Sequence, residues 1–203
     1  MCMFKSMLLL KDKVFCPNYD SHEDMINETG MEHGPMRENF VRVEITPPDD
    51  DLTVPIDKWE YKVDQDYLPE WYVEEVDKPR CFDALKAWAV KHILVGQDVP
   101  EVKQGEFVVL VNCNTGIVKG TVQEVHGGTV QEVYGGTVQK VYGGTVQKVY
   151  GGTVQEVHGG TVQKVWSGGT VQEQTGGIVI YADGCISVCN KNFYRLITPE
   201  EMK

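Results

Sequence analysis

The chain has 203 residues and carries 19 lysines and arginines against 30 aspartates and glutamates, which gives a net charge of −11. Its hydrophobic content of 41% indicates a folded protein rather than an acidic disordered tail. The acidic balance argues against direct binding to nucleic acid, because phosphates are bound by clustered lysines and arginines.

The charge is unevenly distributed along the chain. Residues 1–106 hold 12 basic and 23 acidic side chains, whereas residues 107–203 hold 7 of each. Most of the 21 glycines lie beyond Gly105. Such a shift in composition marks two structural regimes, so we predict an acidic head over residues 1–106.

The head is predicted to be a small α+β domain. Phe4–Leu10 and Val14–Cys16 flank a Lys-Asp-Lys turn, which is typical of a β-hairpin. A helix is expected to begin at Ser21 and end before Gly30, because serine favours helix N-caps and glycine favours helix ends. Phe40–Thr46 alternates with period two and is the clearest strand.

For the rest of the head, the sequence predicts an acidic loop, a strand and a helix. The loop is Pro47–Pro55 and the strand is Trp59–Val63. The helix is expected to start at Pro79 and to continue across Ala84–Ile93, with an apolar stripe that includes Leu85.

From Thr121 the chain repeats every eight residues as Thr-Val-Gln-Glu/Lys-Val-aromatic-Gly-Gly, in seven copies. Threonine and valine favour strands, and a Gly-Gly pair in every octad opposes a helix. Each octad therefore supplies a short strand and a turn that must stack on its neighbours. We predict a β-solenoid over residues 107–190, and a meander of β-hairpins is the alternative. Ile178–Gly184 and Cys185–Asn190 are interpreted as degenerate exit copies, and residues 191–203 as a C-terminal cap.

The variable fourth position of the octad favours two octads, or 16 residues, per coil. With that period Glu124, Lys140 and Glu156 alternate along one column, and the other column stacks Glu132, Lys148 and Lys164. Three octads per coil would instead place Glu132 on Glu156 and Lys140 on Lys164. Like charges directly opposite are unfavourable by roughly 0.2–1 kcal/mol per pair. Strict alternation would turn one valine per octad inward. We predict instead a bend after the glutamine that turns both valines into the core.

The same period sorts the aromatic position into two columns whose rings can stack at a rise of about 4.8 Å per coil. The columns are His126–Tyr142–His158 and Tyr134–Tyr150–Trp166. His126 and His158 would lie roughly 10 Å apart, which is too far to share a metal ion. We therefore predict no metal site and no cofactor.

Two combinations of residues have the composition of a catalytic pair. Cys81 and His92 could act as nucleophile and base, and His22-Glu23 with Glu32-His33 could act as acid and base. Nothing in the sequence places either pair together, and no phosphate-binding or dinucleotide-binding glycine motif is present. We therefore predict no catalytic residues.

Three motifs of the head precede the short tandem repeats, and Ser21-His22-Glu23 precedes the motifs. The motifs are Phe40–Glu44 (FVRVE), Lys62–Asp66 (KVDQD) and Pro69–Trp71 (PEW). In this order the chain resembles a group of uncharacterised proteins from bacteriophages, prophages and gut bacteria. The resemblance implies a phage or mobile-element setting and transfers no active site.

Eleven carboxylates lie within 29 residues of the head, a density that can fit a basic surface by charge complementarity. They are Asp49, Asp50, Asp51, Asp57, Glu60, Asp64, Asp66, Glu70, Glu74, Glu75 and Asp77. We expect a non-enzymatic interaction protein that binds and blocks or sequesters a host component, with the head as a DNA-like acidic mimic. The first ten carboxylates, with Tyr134, Tyr150 and Trp166, are the predicted partner-binding residues.

Three further expectations concern alternatives and location. One alternative is a structural or ligand-binding solenoid with a regular Thr/Gln or aromatic face, and another is a small enzyme in the head. The solenoid surface is also expected to allow the protein to form homo-oligomers. No apolar run approaches the roughly 20 residues of a membrane span, and six cysteines without a CxxC pair indicate a reducing compartment. We therefore expect a cytoplasmic protein, which lies in the host cytoplasm if it is phage-encoded.

Overall fold

The computed structural model describes residues 5–31, 39–190 and 193–202. The chain divides into two compact units, residues 1–90 and residues 91–203. It is mainly β, with a small N-terminal α+β part and a β-solenoid of about 16-residue coils over residues 93–181, which confirms the predicted fold class. Among the described residues, no helix combines the length and the apolar character that crossing a membrane requires.

A four-stranded antiparallel sheet forms the centre of the first unit, in the order β2-β1-β3-β4. Its strands are β1 (Lys5–Leu10), β2 (Val14–Phe15), β3 (Phe40–Thr46) and β4 (Glu60–Val63). The predicted hairpin and both predicted strands are therefore confirmed. All six residues of β1 are buried, because this strand lies inside the sheet and both of its faces are covered.

Helix α1 (His22–Thr29) begins and ends as the sequence predicts. The Ser21 side chain accepts a hydrogen bond from the Asp24 N–H at 3.2 Å, and Gly30 closes the helix in the left-handed conformation with φ of 64°. Met25 and Ile26 bury one face of the helix in a core cluster. The other buried members of that cluster are Leu8, Leu10 and Phe40.

Helix α2 (Glu74–His92) begins five residues before Pro79, so the predicted start is wrong. The Asp77 carboxylate accepts a hydrogen bond from the Val73 N–H at 2.9 Å and pairs with Arg80 at 2.5 Å, and both contacts stabilise the first turns. They offset the cost of Pro79, which removes one backbone donor and crowds the carbonyl group one turn earlier. The buried stripe of the helix is Asp77, Cys81, Leu85 and Ala89.

The solenoid is built from nine strands that pair in parallel from coil to coil. They are β5 (Ile93–Val95), β6 (Asp98–Val102), β7 (Phe107–Val118), β8 (Thr121–Val133), β9 (Thr137–Val149), β10 (Thr153–Val157), β11 (Thr161–Val165), β12 (Thr170–Gln174) and β13 (Gly177–Tyr181). Parallel pairing excludes the hairpin meander for this region. The solenoid starts before residue 107, because β5 and β6 form a coil that lacks the Gly-Gly signature.

The register between coils is the predicted 16 residues. Thr121 lies opposite Thr137, and Thr137 lies opposite Thr153. Glu124 likewise lies opposite Lys140, and the Lys148 ammonium group is 3.1 Å from a Glu132 carboxylate oxygen. The predicted alternating column of Glu124, Lys140 and Glu156 is therefore present in the structure, and so is the predicted stacking of Lys148 on Glu132.

Both valines of each of the first six octads point into the solenoid core. From Val122 to Val165 the solvent-exposed fraction of these side chains is at most 5%. Residues three apart in a straight strand point to opposite faces, so two inward valines at that spacing require a bend between them. The predicted bend is confirmed. Full burial of each valine contributes about 1.5–3 kcal/mol.

The C-terminal end of the chain differs from the prediction. Strands β14 (Ile186–Asn190) and β15 (Phe193–Ile197) run antiparallel to their neighbours and extend the sheet that ends in β13. The interpretation of Cys185–Asn190 as an exit copy of the repeat is therefore wrong. The turn at Gly184, with φ of 90°, reverses the chain and converts parallel stacking into a hairpin.

The two glycines between neighbouring octads have different steric surroundings, which gives a matched test of the coil geometry. A Cβ atom on Gly152 would collide with the backbone oxygen of Gly136 in the coil below, whereas a Cβ atom on Gly151 meets nothing within 4 Å. We expect Gly152→Ala to lower the free energy of unfolding by about 1–3 kcal/mol. Gly151→Ala should leave it unchanged or raise it slightly, because alanine restricts the unfolded chain. Urea denaturation of the two variants measures the difference, and equal losses would contradict this stacking.

Candidate functional site

The acidic segment of the head, residues 49–75, is the first candidate interface. All ten predicted partner-binding carboxylates in it are exposed. The segment contains only two basic residues, Lys58 and Lys62, which leaves a net charge of −8. The eleventh carboxylate, Asp77, is 3% exposed and pairs with Arg80, so it does not belong to this surface.

The first three aspartates lie in a tight turn that directs their carboxylates to solvent. Asp49 and Asp50 adopt left-handed backbone angles, with φ of 53° and 57°. Asp51 accepts hydrogen bonds from the N–H and the hydroxyl group of Thr53 at 2.9 and 2.7 Å. These bonds lower the pKa of the Asp51 carboxyl group, with the hydroxyl bond contributing most, and so favour its charged form.

Exposed apolar side chains lie within the acidic segment and directly after it. Tyr67, Leu68, Val73 and Val76 are 48%, 40%, 47% and 62% exposed. Exposed carboxylates, including Asp66, alternate with them along the chain. A surface that combines apolar side chains with carboxylates can bury area against a protein partner. The carboxylates favour a partner with a basic surface.

The second candidate surface is the pair of aromatic columns on the solenoid. Tyr142 stacks between His126 and His158, with ring centroids 4.9 and 5.1 Å apart, so both of its ring faces are covered. Tyr150 stacks on Trp166 at 5.7 Å and makes a tilted contact with Tyr134 at 6.2 Å. The predicted stacking is therefore present, and no open face remains on Tyr142 for a ligand to stack on.

The two columns differ in their charged neighbours. The histidine column carries carboxylates: His126 Nε2 lies 3.1 Å from Glu124, and His158 Nε2 lies 2.7 Å from Glu156. The tyrosine column carries lysine: the Lys164 ammonium group lies 4.2 Å from the centre of the Trp166 ring. Lys140 holds the equivalent position beside Tyr142, and Glu132 holds it beside Tyr134. The tyrosine column is distinguished by its exposed rings, Tyr134 and Trp166, the second of which has Lys164 over its face.

A third arrangement, which the sequence does not indicate, lies in the head. A ring nitrogen of His22 and carboxylate oxygens of Glu44 and Asp64 lie within 4.8 Å of one another. Lys62 contacts both carboxylates, at 3.4 Å for Glu44 and 3.3 Å for Asp64. These contacts raise the pKa of Lys62, with the hydrogen bond to Asp64 as the largest cause. The sequence places His22 and Asp64 in separate candidate groups and gives Glu44 no role in a site.

The predicted nucleophile and base are not brought together. Cys81 is buried, and burial raises the pKa of its thiol to about 12, so the reactive thiolate is disfavoured. His92 lies eleven residues further along the same helix, about 16 Å at the usual helical rise, and its Nδ1 is 2.7 Å from the Phe107 carbonyl oxygen. For the acid–base pair, Glu32 and His33 lie outside the described residues.

Comparison of the chain with protein-family models, with curated proteins and with solved structures finds no match.

The aromatic columns predict unequal stability effects for two tyrosines at equivalent repeat positions. We expect Tyr142→Ala to cost about 1–2 kcal/mol of unfolding free energy, because it removes two stacked ring contacts. Tyr134→Ala should cost less than about 0.5 kcal/mol, because this ring is 61% exposed and has one tilted neighbour. Chemical denaturation compares the variants, and a larger loss for Tyr134→Ala would contradict the stacking account.

Proposed function

We propose that the protein is a non-enzymatic binding protein whose acidic segment, residues 49–75, engages a protein partner with a basic surface. The observation that carries the proposal is the exposure of all ten carboxylates in one stretch of 27 residues that holds only two lysines. At about 0.15 M salt, charges separated by more than about 8 Å are screened, so a dense cluster is needed for attraction to persist.

The exposed apolar side chains of the segment support a protein partner over a simple counter-ion. Leu68 and Val73 offer surface that gains free energy only when a partner removes it from water. The carboxylates then select the partner by charge and accelerate its association. In the phage or mobile-element setting implied by the resemblance, the partner is a host component that the protein blocks or sequesters, and the head acts as an acidic mimic.

A second candidate function is favoured by the tyrosine column of the solenoid. Tyr134 and Trp166 are 61% and 37% exposed, and the Lys164 ammonium group lies over the Trp166 ring. Aromatic edges next to cations are common at protein interfaces. In this version the solenoid contacts a partner or a second copy of the chain, and the head serves another purpose. The two candidates differ in which variants abolish binding.

The test compares two variants with the same total charge. One variant converts five carboxylates of the acidic segment to amides, and the control converts five exposed carboxylates elsewhere, so each raises the net charge from −11 to −6. The segment variant changes Asp49, Asp57, Asp66, Glu70 and Glu75. The control variant changes Asp12, Glu23, Asp83, Glu173 and Glu200.

Each protein is immobilised, and the partner captured from host lysate is identified by mass spectrometry and then purified for titration. We expect the segment variant to weaken the purified pair about tenfold or more, and the control to retain near-native affinity with the same salt dependence. Equal weakening by the two variants would show that only net charge matters and would reject the segment as the site. Loss on Trp166→Ala, with none in the segment variant, would instead support the solenoid surface.

A further inference from the structure

Three residues that are far apart in sequence bring metal-ligand groups together in the head. His22 is the first residue of α1, Glu44 lies in β3, and Asp64 directly follows β4. One nitrogen and two carboxylate oxygens of these side chains lie within 4.8 Å of one another. Two packing contacts bring the three side chains together. Strand β3 pairs with β4, where Glu44 lies opposite Lys62, and the start of α1 lies against Val43.

The histidine is held by a backbone hydrogen bond. Its Nε2 lies 3.3 Å from the Val43 carbonyl oxygen, which can only accept, so the ring donates its N–H at that position. A neutral ring in this tautomer keeps the other nitrogen unprotonated. Metal-binding histidines use such a bond to a carbonyl or carboxylate to fix the ring and its tautomer.

The two carboxylates already attract a cation. The Lys62 ammonium group lies between Glu44 and Asp64, at 3.4 and 3.3 Å, but its side chain is 64% exposed. A lysine held at these distances on an open surface can swing into solvent at small cost. The position between the carboxylates is therefore negative enough for a cation and accessible to one.

We propose that His22, Glu44 and Asp64 bind a divalent transition-metal ion of the Zn²⁺ class, with Lys62 displaced toward solvent. One imidazole and two carboxylates suit Zn²⁺ and its neighbours better than Mg²⁺ or Ca²⁺, which prefer sites made of oxygen alone. Three protein ligands leave a coordination position for water. The ion links α1 to the β3–β4 hairpin, so its binding stabilises the folded head.

The experiment titrates the full chain, stripped with a chelator, with Zn²⁺ alone, and follows heat of binding and the midpoint of thermal unfolding. We expect saturable binding of one ion and a higher unfolding midpoint, and a smaller shift with Mg²⁺. His22→Ala, Glu44→Gln and Asp64→Asn should each weaken binding by about tenfold or more. Lys62→Gln should strengthen binding by about fivefold, because it removes the competing charge.

Control variants remove other histidine and cysteine side chains, which carry donor atoms of the kind that Zn²⁺ prefers. His126→Gln/His158→Gln and Cys185→Ser/Cys189→Ser should bind the ion as the unchanged chain does. The proposal is overturned if no heat of binding is seen, if these controls abolish the binding, or if Glu44→Gln and Asp64→Asn leave the affinity unchanged. Lys62→Gln keeps the test decisive should His22→Ala fail to fold, since an unchanged or weakened affinity in that variant also contradicts the site.

Discussion

The paired valine columns are the interaction on which the solenoid depends. An octad cannot bury its own apolar side chains, so each coil is stable only when the valines of the coils above and below cover its own. The inward valines form one continuous core cluster from Val102 to Val179. Glycine at the corners allows this close stacking, because a side chain on Gly152 would collide with the backbone of the coil below. The 16-residue period is therefore fixed jointly by apolar contact and by close approach of the backbone.

That constraint also decides what the outside of the solenoid can carry. Once both valines point inward, the threonine, glutamine, charged and aromatic positions of each octad face outward at a fixed spacing. Stacking of Tyr142 between two histidines and pairing of Lys148 with Glu132 follow from the repeat and add modest stability. In the head, by contrast, the positions of the exposed carboxylates are determined by turns and loops rather than by a repeating core. The binding role proposed here rests on that second surface.

Repetition made much of the fold predictable from the sequence. The Thr-Val composition of the seven copies predicts short strands, and the charge columns predict two octads per coil. The need to bury both valines predicts the bend within each octad. The parts of the chain without repeats were harder to predict from the sequence. The coil of β5 and β6 carries Asp98 and Glu101 and no Gly-Gly pair, so composition grouped it with the head. The grouping of His22 with Glu44 depends on how α1 and β3 pack, which no spacing in the sequence reveals.

The central claim, that the coil contains two octads, is tested most directly by disulfide trapping between repeat positions. Residues 16 apart lie opposite each other on adjacent parallel strands, at a Cα separation near the roughly 4.4–6.8 Å that disulfides require. We predict that Gln131→Cys/Gln147→Cys forms a cross-link under mild oxidation, detected as a linked peptide by mass spectrometry. Gln131→Cys/Gln155→Cys, with positions 24 apart, should not form one. Efficient linkage of the second pair and none of the first would contradict the account.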